Sequence, residues 1–124
     1  MIKDYREMKI YQRSYEIALR IHEITKSFPE SEKYDLTSQL RRCSKSIPSN
    51  IAEGWGRQSN EEFKRFLRIS LGSCNEIQVH LSFSKDLKYI LEQKYIEISK
   101  EYEEIGKMIN VSIQKWNKTN KTNN

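Results

Sequence analysis

Two histidines, two cysteines and a surplus of cations are the side chains of this 124-residue sequence with chemistry to offer. A carboxylate-bridged di-iron centre in a helical bundle needs Glu-x-x-His pairs and further carboxylates facing inward, and neither His22 nor His80 has Glu three residues before it. His22 falls on an apolar helical stripe and is read as a hydrogen-bonded core histidine, not a base. Cys43 and Cys74 also fall within apolar stripes; two thiols in a reducing compartment are assigned to packing, with neither a disulfide nor a metal pair. Gly54-Trp55-Gly56 is too short for a phosphate-cradling loop and lacks the Lys-Ser/Thr that would hold phosphate and metal. No catalytic residue, metal site or cofactor is therefore expected.

Charge remains. Lys and Arg number 22 against 17 Asp and Glu, giving a net charge of +5, and no acidic residue follows Glu104 while Lys107, Lys115, Lys118 and Lys121 do. Such a balance suits a polyanionic partner. The candidate nucleic-acid-binding residues are Arg41, Arg42, Lys45, Arg57, Lys64, Arg65 and Arg68. No aromatic platform typical of single-strand readers is evident, so binding to RNA would be mostly electrostatic and weakly sequence-specific. The same cations have a second use, because Glu53 and Glu76 share outward helix faces with Arg42 and Arg68 and can pair with them.

These side chains must be positioned by helices. Four Gly and two Pro are too few for the turns of a sandwich or barrel, and the length suits one domain. The first helix is expected from about Glu7 to Ser27, with Tyr11, Tyr15, Ala18 and His22 on one stripe and Ile10, Ile17, Ile21, Ile24 and Phe28 on another. Pro29 stops it, and Ser31 is a candidate N-cap for the second. There Leu36, Leu40, Cys43, Ile47 and Ile51 hold one face across Pro48, predicting a single kinked helix that Gly54 and Gly56 end by accepting a left-handed conformation. Ser59-Asn60-Glu61-Glu62 reads as a capping box opening the third helix, which buries Phe63, Phe66, Leu67, Ser70, Cys74, Ile77 and Leu81 and breaks around Lys85 to Ile90. Leu91, Tyr95, Ile98, Tyr102, Ile105, Ile109, Ile113 and Trp116 define the fourth at bundle spacing. The expected architecture is all-α: an antiparallel up-down four-helix bundle over 1–116, then a disordered polar tail over 117–124. No run is apolar enough to span a membrane and the charged opening residues do not form a secretory signal, which places the chain in the cytoplasm.

The wet faces of the second and third helices are not simply polar. Ser49 and Ala52 lie opposite the Leu40/Ile47 stripe, and Gly72, Glu76, Val79 and Phe83 point away from the core of the third helix. A solvated helix has little use for Gly mid-span, at a cost of about 1 kcal/mol against Ala, or for Val and Phe on its outside. These six residues are the candidate interface of a homo-oligomer.

The run Gln39-Leu40-Arg41-Arg42-Cys43-Ser44-Lys45-Ser46-Ile47-Pro48-Ser49-Asn50-Ile51-Ala52-Glu53-Gly54 resembles the signature of the four-helix bundle proteins encoded in intervening sequences of bacterial 23S ribosomal RNA genes. Gly72-Ser73-Cys74-Asn75-Glu76 is similar to their second motif, and Phe28-Pro29 with Glu32, Tyr34 and Leu36 also matches. Cys43 stands where the family usually has Ala, and Lys45 where it has a small residue. The resemblance implies an antiparallel bundle assembled into a ring, commonly a pentamer, without known catalytic activity, and the gene context implies contact with RNA. A competing role is that of a structural scaffold or accessory subunit for a protein partner, as similar bundles serve alongside reverse transcriptases.

Overall fold

With so few helix breakers, the chain forms four long helices: α1 (Lys9–Thr25), α2 (Leu36–Trp55), α3 (Asn60–Asp86) and α4 (Glu92–Asn123), with 3-10 turns at Tyr5–Glu7 and Glu30–Glu32. The computed structural model describes the backbone of residues 1–123 and the side chains of residues 1–116. The expected tail, 117–124, falls outside the residues whose side chains are described. Helix α1 packs against α2 and α4, and α3 against the same two; among the described residues the backbones of α1 and α3, and of α2 and α4, nowhere bring their Cα atoms within 8 Å. The helices therefore occupy the corners of a square around one core.

Neighbouring helices run in opposite directions. Arg13 reaches Glu101 and Glu104 while Arg20, further along α1, reaches Glu97. Between α2 and α3, the Ser70 hydroxyl donates to the Ile47 carbonyl at 2.9 Å and Arg42 meets Glu76 at 3.6 Å. Asn60, opening α3, accepts from the Trp116 indole near the described end of α4, at 2.9 Å. Inside, the predicted α2 stripe is buried throughout, from Leu36 to Ile51, as are Ile98, Tyr102, Ile105 and Ile109 of α4. Each aliphatic side chain withdrawn from water in this way contributes about 1.5–3 kcal/mol.

Pro48 does not interrupt α2. Its missing N–H breaks the regular ladder, and side-chain donors reach carbonyls nearby: Asn50 to Ser46 at 2.7 Å and Ser70 to Ile47. The start of α2 differs from expectation. Residues Glu30–Glu32 take a 3-10 turn, so α2 begins at Leu36 after Asp35, and Ser31 is not its cap. Ser59 does cap α3, accepting the Glu62 N–H at 3.3 Å. Leu91 precedes α4 and is exposed, outside the stripe assigned to it.

The glycines act differently from their expected role. No Gly has a positive φ; the left-handed positions are Gln58, after α2, and Lys88, after α3. Gly54 is instead buried within α2, where an added Cβ would sit 2.6 Å from Phe66 Cβ and 3.1 Å from the Phe63 ring. Its service is close approach of α2 to α3. Lys88 occupies the left-handed position of a Schellman turn, in which the Tyr89 N–H bonds the Ser84 carbonyl at 2.8 Å and the Lys88 N–H the Lys85 carbonyl at 2.9 Å. Tyr89 then donates to Glu32 at 2.8 Å and packs on Phe28, tying this turn to the α1–α2 connection.

Two substitutions should move stability in opposite directions in urea melts. Gly54→Ala should destabilise by about 1–3 kcal/mol, since overpacking against Phe66 outweighs the gain of about 1 kcal/mol in helix propensity. Lys88→Gly should stabilise by roughly 1 kcal/mol, because it relieves an L side chain of the left-handed conformation.

Candidate functional site

The cations singled out from the sequence do not form one uniform patch. Arg41 is half-buried and reaches across to α1, where its Nε donates to the Thr25 hydroxyl at 2.8 Å and its guanidinium to the His22 carbonyl at 3.2 Å. It staples two helices. Lys64 does not lie with the others: its side chain is 6% exposed and bonds Glu61 at 2.7 Å. Arg57 and Arg65 bring the end of α2 and the start of α3 together over the Phe66 ring, at 5.2 and 4.6 Å, and pair with Glu53 at 3.8 Å and Glu62 at 2.9 Å. The bond from Arg65 holds the Glu62 carboxyl below its usual range. Arg42 bonds Gln39 and pairs with Glu76 at 3.6 Å. Lys45 and Arg68 are exposed and make no ion pair among the described residues. Exposed pairs of this kind hold the cations in place weakly, at about 0–1 kcal/mol each, and can be exchanged for phosphate.

The apolar surface has two parts. On α3, Val79 is 55% and Phe83 56% exposed, with Ile69 also turned outward, and an added Cβ on Gly72 would meet nothing within 4 Å. Glu76 lies between them and contacts His80 at 3.2 Å. The second part was not expected. Of the Tyr11/Tyr15/Ala18/His22 stripe, only Ala18 is buried; His22 is exposed and not a core histidine. The stripe instead lines a groove of about 390 Å³ between α1 and α2, completed by Leu19, Pro48 and Ala52 with Arg41, Ser44, Lys45 and Ser49. Its signal was present in the sequence, because a second apolar stripe beside the Ile17/Ile21 face is more than one corner of a square bundle can bury. Ser49 and Ala52 thus border this groove, while Gly72, Glu76, Val79 and Phe83 occupy a different face.

Sequence reasoning also missed an aromatic cluster. Trp55, Phe63 and Trp116 meet edge to face, at 4.9–5.9 Å between ring centroids, and close one end of the bundle. They come from three helices, so no local spacing could have joined them.

Burial disposes of the thiols as nucleophiles. It pushes Cys43 and Cys74 up to about 12, and the Cys43 thiol donates to the Ser73 carbonyl at 3.2 Å. The Tyr102 phenol is raised by the same burial. Among the described residues no cluster of three or more His, Cys, Asp or Glu could hold a metal ion, and no helix is long and apolar enough to cross a membrane.

Fold and surface together define an all-α four-helix bundle that exposes cations and two apolar faces. The chain belongs to the 23S rRNA-intervening sequence protein family, whose sequence pattern matches residues 6–111. It is similar, at 29% identity and a TM-score of 0.78, to a crystal structure from Bacteroides thetaiotaomicron of a protein with unknown function from the S23 ribosomal protein family. That likeness covers 85% of this chain and 95% of the other. No curated protein matches it significantly.

The buried thiols give the fold an alkaline limit. Their pKa values rise from 9.0 unfolded to about 12 folded, so their contribution is complete below pH 9.0 and is lost as pH climbs toward about 12. Urea melts across that interval should show falling stability, and a Cys43→Ala/Cys74→Ala variant should show a shallower fall than wild type.

Proposed function

We propose that this protein is a non-catalytic, self-associating bundle that holds RNA by its phosphate backbone through exposed cations of α2 and α3. One observation carries the reading: Lys45 and Arg68 stand exposed and make no ion pair among the described residues, on the same two helices as the weakly paired Arg42 and Arg65, with Arg57 just beyond the end of α2. Arg41 and Lys64 serve the fold and are left out of the contact set. Assembly multiplies such a surface, since each copy repeats the same cations and phosphate contacts gain by avidity. The resemblance to ring-forming bundles favours five copies, working in the cytoplasm, with no cofactor. Recognition by phosphate contacts gives little sequence preference.

A second reading, a scaffold or accessory subunit for a protein such as a reverse transcriptase, is favoured by the apolar groove and the bare α3 face. Phosphate would use neither.

Filter binding or fluorescence anisotropy with unrelated RNAs separates the two. Counterion release predicts that log affinity falls linearly with log salt, by about 0.7–0.9 per contacted phosphate. A Lys45→Gln/Arg68→Gln variant should lose about two such increments of slope for every RNA, with the melting temperature and subunit count unchanged. Absence of wild-type binding at about 50 mM salt, where electrostatic association is strong, would leave the scaffold reading in its place.

A further inference from the structure

A hollow of about 580 Å³ runs along α2 from the turn that precedes it. Lys33 and Tyr34 belong to that turn; Thr37, Ser38, Arg42 and Lys45 follow down one side of the helix, at the three- and four-residue spacings that keep side chains together. The size suits a nucleotide, since small-molecule sites span about 300–1,000 Å³. Its lining includes no acidic side chain.

Two features point to an anion. Asp35, before the first residue of α2, makes no side-chain cap bond, and the Thr37 and Ser38 N–H groups have no acceptor among the described residues. Orphan N–H groups at a helix start carry partial positive charge and suit phosphate. Thr37 itself is the second feature. It is 7% exposed, and its hydroxyl makes no hydrogen bond among the described residues. That hydroxyl is not sealed from solvent, for Tyr102 holds the one enclosed, unpartnered side-chain oxygen among them. A buried hydroxyl needs a partner, and an oxyanion seated in the hollow supplies one. The cations nearby are loosely held: Lys33 meets Glu30 at 3.9 Å, Arg42 meets Glu76 at 3.6 Å, and Lys45 makes no ion pair among the described residues.

Tyr34 gives the hollow a flat side. Its ring is 88% exposed, with the Lys33 ammonium 5.5 Å from the centroid. A ring this bare contributes little to the core but offers a face to a base.

We propose that this hollow seats one unpaired nucleotide of an RNA strand, its phosphate on the N–H and hydroxyl groups of Thr37 and Ser38 and its base on the Tyr34 ring. This rests on the RNA reading proposed above and adds a base contact to it. At 1.5 Å per residue, Arg42 and Lys45 lie about 6 and 10 Å farther along α2 than Ser38, placed for neighbouring phosphates of the same strand. A paired base is stacked within its duplex and cannot reach Tyr34, so the strand is single at this point.

Fluorescence anisotropy on the full chain, at about 50 mM salt, tests this with two RNA probes of equal length: oligoadenylate and a ribose-phosphate strand without bases. Stacking on one ring is worth about 5- to 150-fold in affinity, and the wild type should prefer oligoadenylate by such a factor. Tyr34→Ala should bring the two probes level, with affinity for the abasic strand and its salt slope unchanged, and Tyr34→Phe should keep the preference. Thr37→Val should weaken both probes by the same factor; should that variant melt below wild type, Ser38→Ala takes its place. Equal wild-type affinity for the two probes, or a preference that survives Tyr34→Ala, overturns the base seat and leaves the electrostatic reading standing. Unchanged affinity after loss of the hydroxyl overturns the phosphate seat. Binding of neither probe overturns both readings.

Discussion

The close seam between α2 and α3 governs the rest of the molecule. Gly54 lets the helices approach until a methyl group would collide with Phe66, and the seam continues through Ser46 to Ser73, Cys43 to the Ser73 carbonyl, and Ser70 to the Ile47 carbonyl. Small hydroxyl and thiol groups fill this seam: they satisfy polar atoms at short range and add little bulk. The cost falls on the other edge of α2. Ser44, Pro48 and Ala52, facing α1, are too small to fill the space beside Tyr15 and Leu19, and a groove remains. The same seam points Ser70, Cys74 and Ile77 inward and so turns Gly72, Val79 and Phe83 out.

The core holds protonated thiols, a protonated phenol and aliphatic side chains, none poised for chemistry. Outside, the cations are spread among structural and available roles: Arg41 and Lys64 are bound into the fold, Arg42, Arg57 and Arg65 are loosely paired, and Lys45 and Arg68 are unpaired among the described residues. Displacing an exposed ion pair costs little, whereas displacing Arg41 would strip donors from α1, so the proposed RNA contact draws only on the last two groups. In the proposed function, association through the apolar faces is insensitive to salt whereas RNA contact is not, so ionic strength separates the two.

How much of this was legible in the sequence depended on whether the information was local. The α2 stripe from Leu36 to Ile51 and the α3 stripe from Phe63 to Leu81 could be read because helical spacing alone decides which positions share a face. The Ser59 cap could be read because three residues suffice for it. The His22 stripe was misassigned because periodicity marks a face as apolar without saying whether a neighbouring helix covers it. Gly54 was taken for a helix stop because its use depends on Phe66, a residue of another helix, and the left-handed position at Lys88 carried no glycine to announce it. For the candidate site, outward placement of Gly72, Val79 and Phe83 followed from the helical wheel. The diversion of Arg41 and Lys64 did not, since each depends on where a long side chain finds its acceptor.

Native mass spectrometry of the wild-type protein, purified at low salt and then exchanged into high salt, tests the central claim most directly, that this bundle acts through self-association and electrostatic RNA contact. The expected result is a discrete multiple of the 14.9 kDa chain carrying additional RNA mass, with the RNA lost at high salt and the subunit count unchanged. A bare 14.9 kDa monomer in both conditions would contradict it.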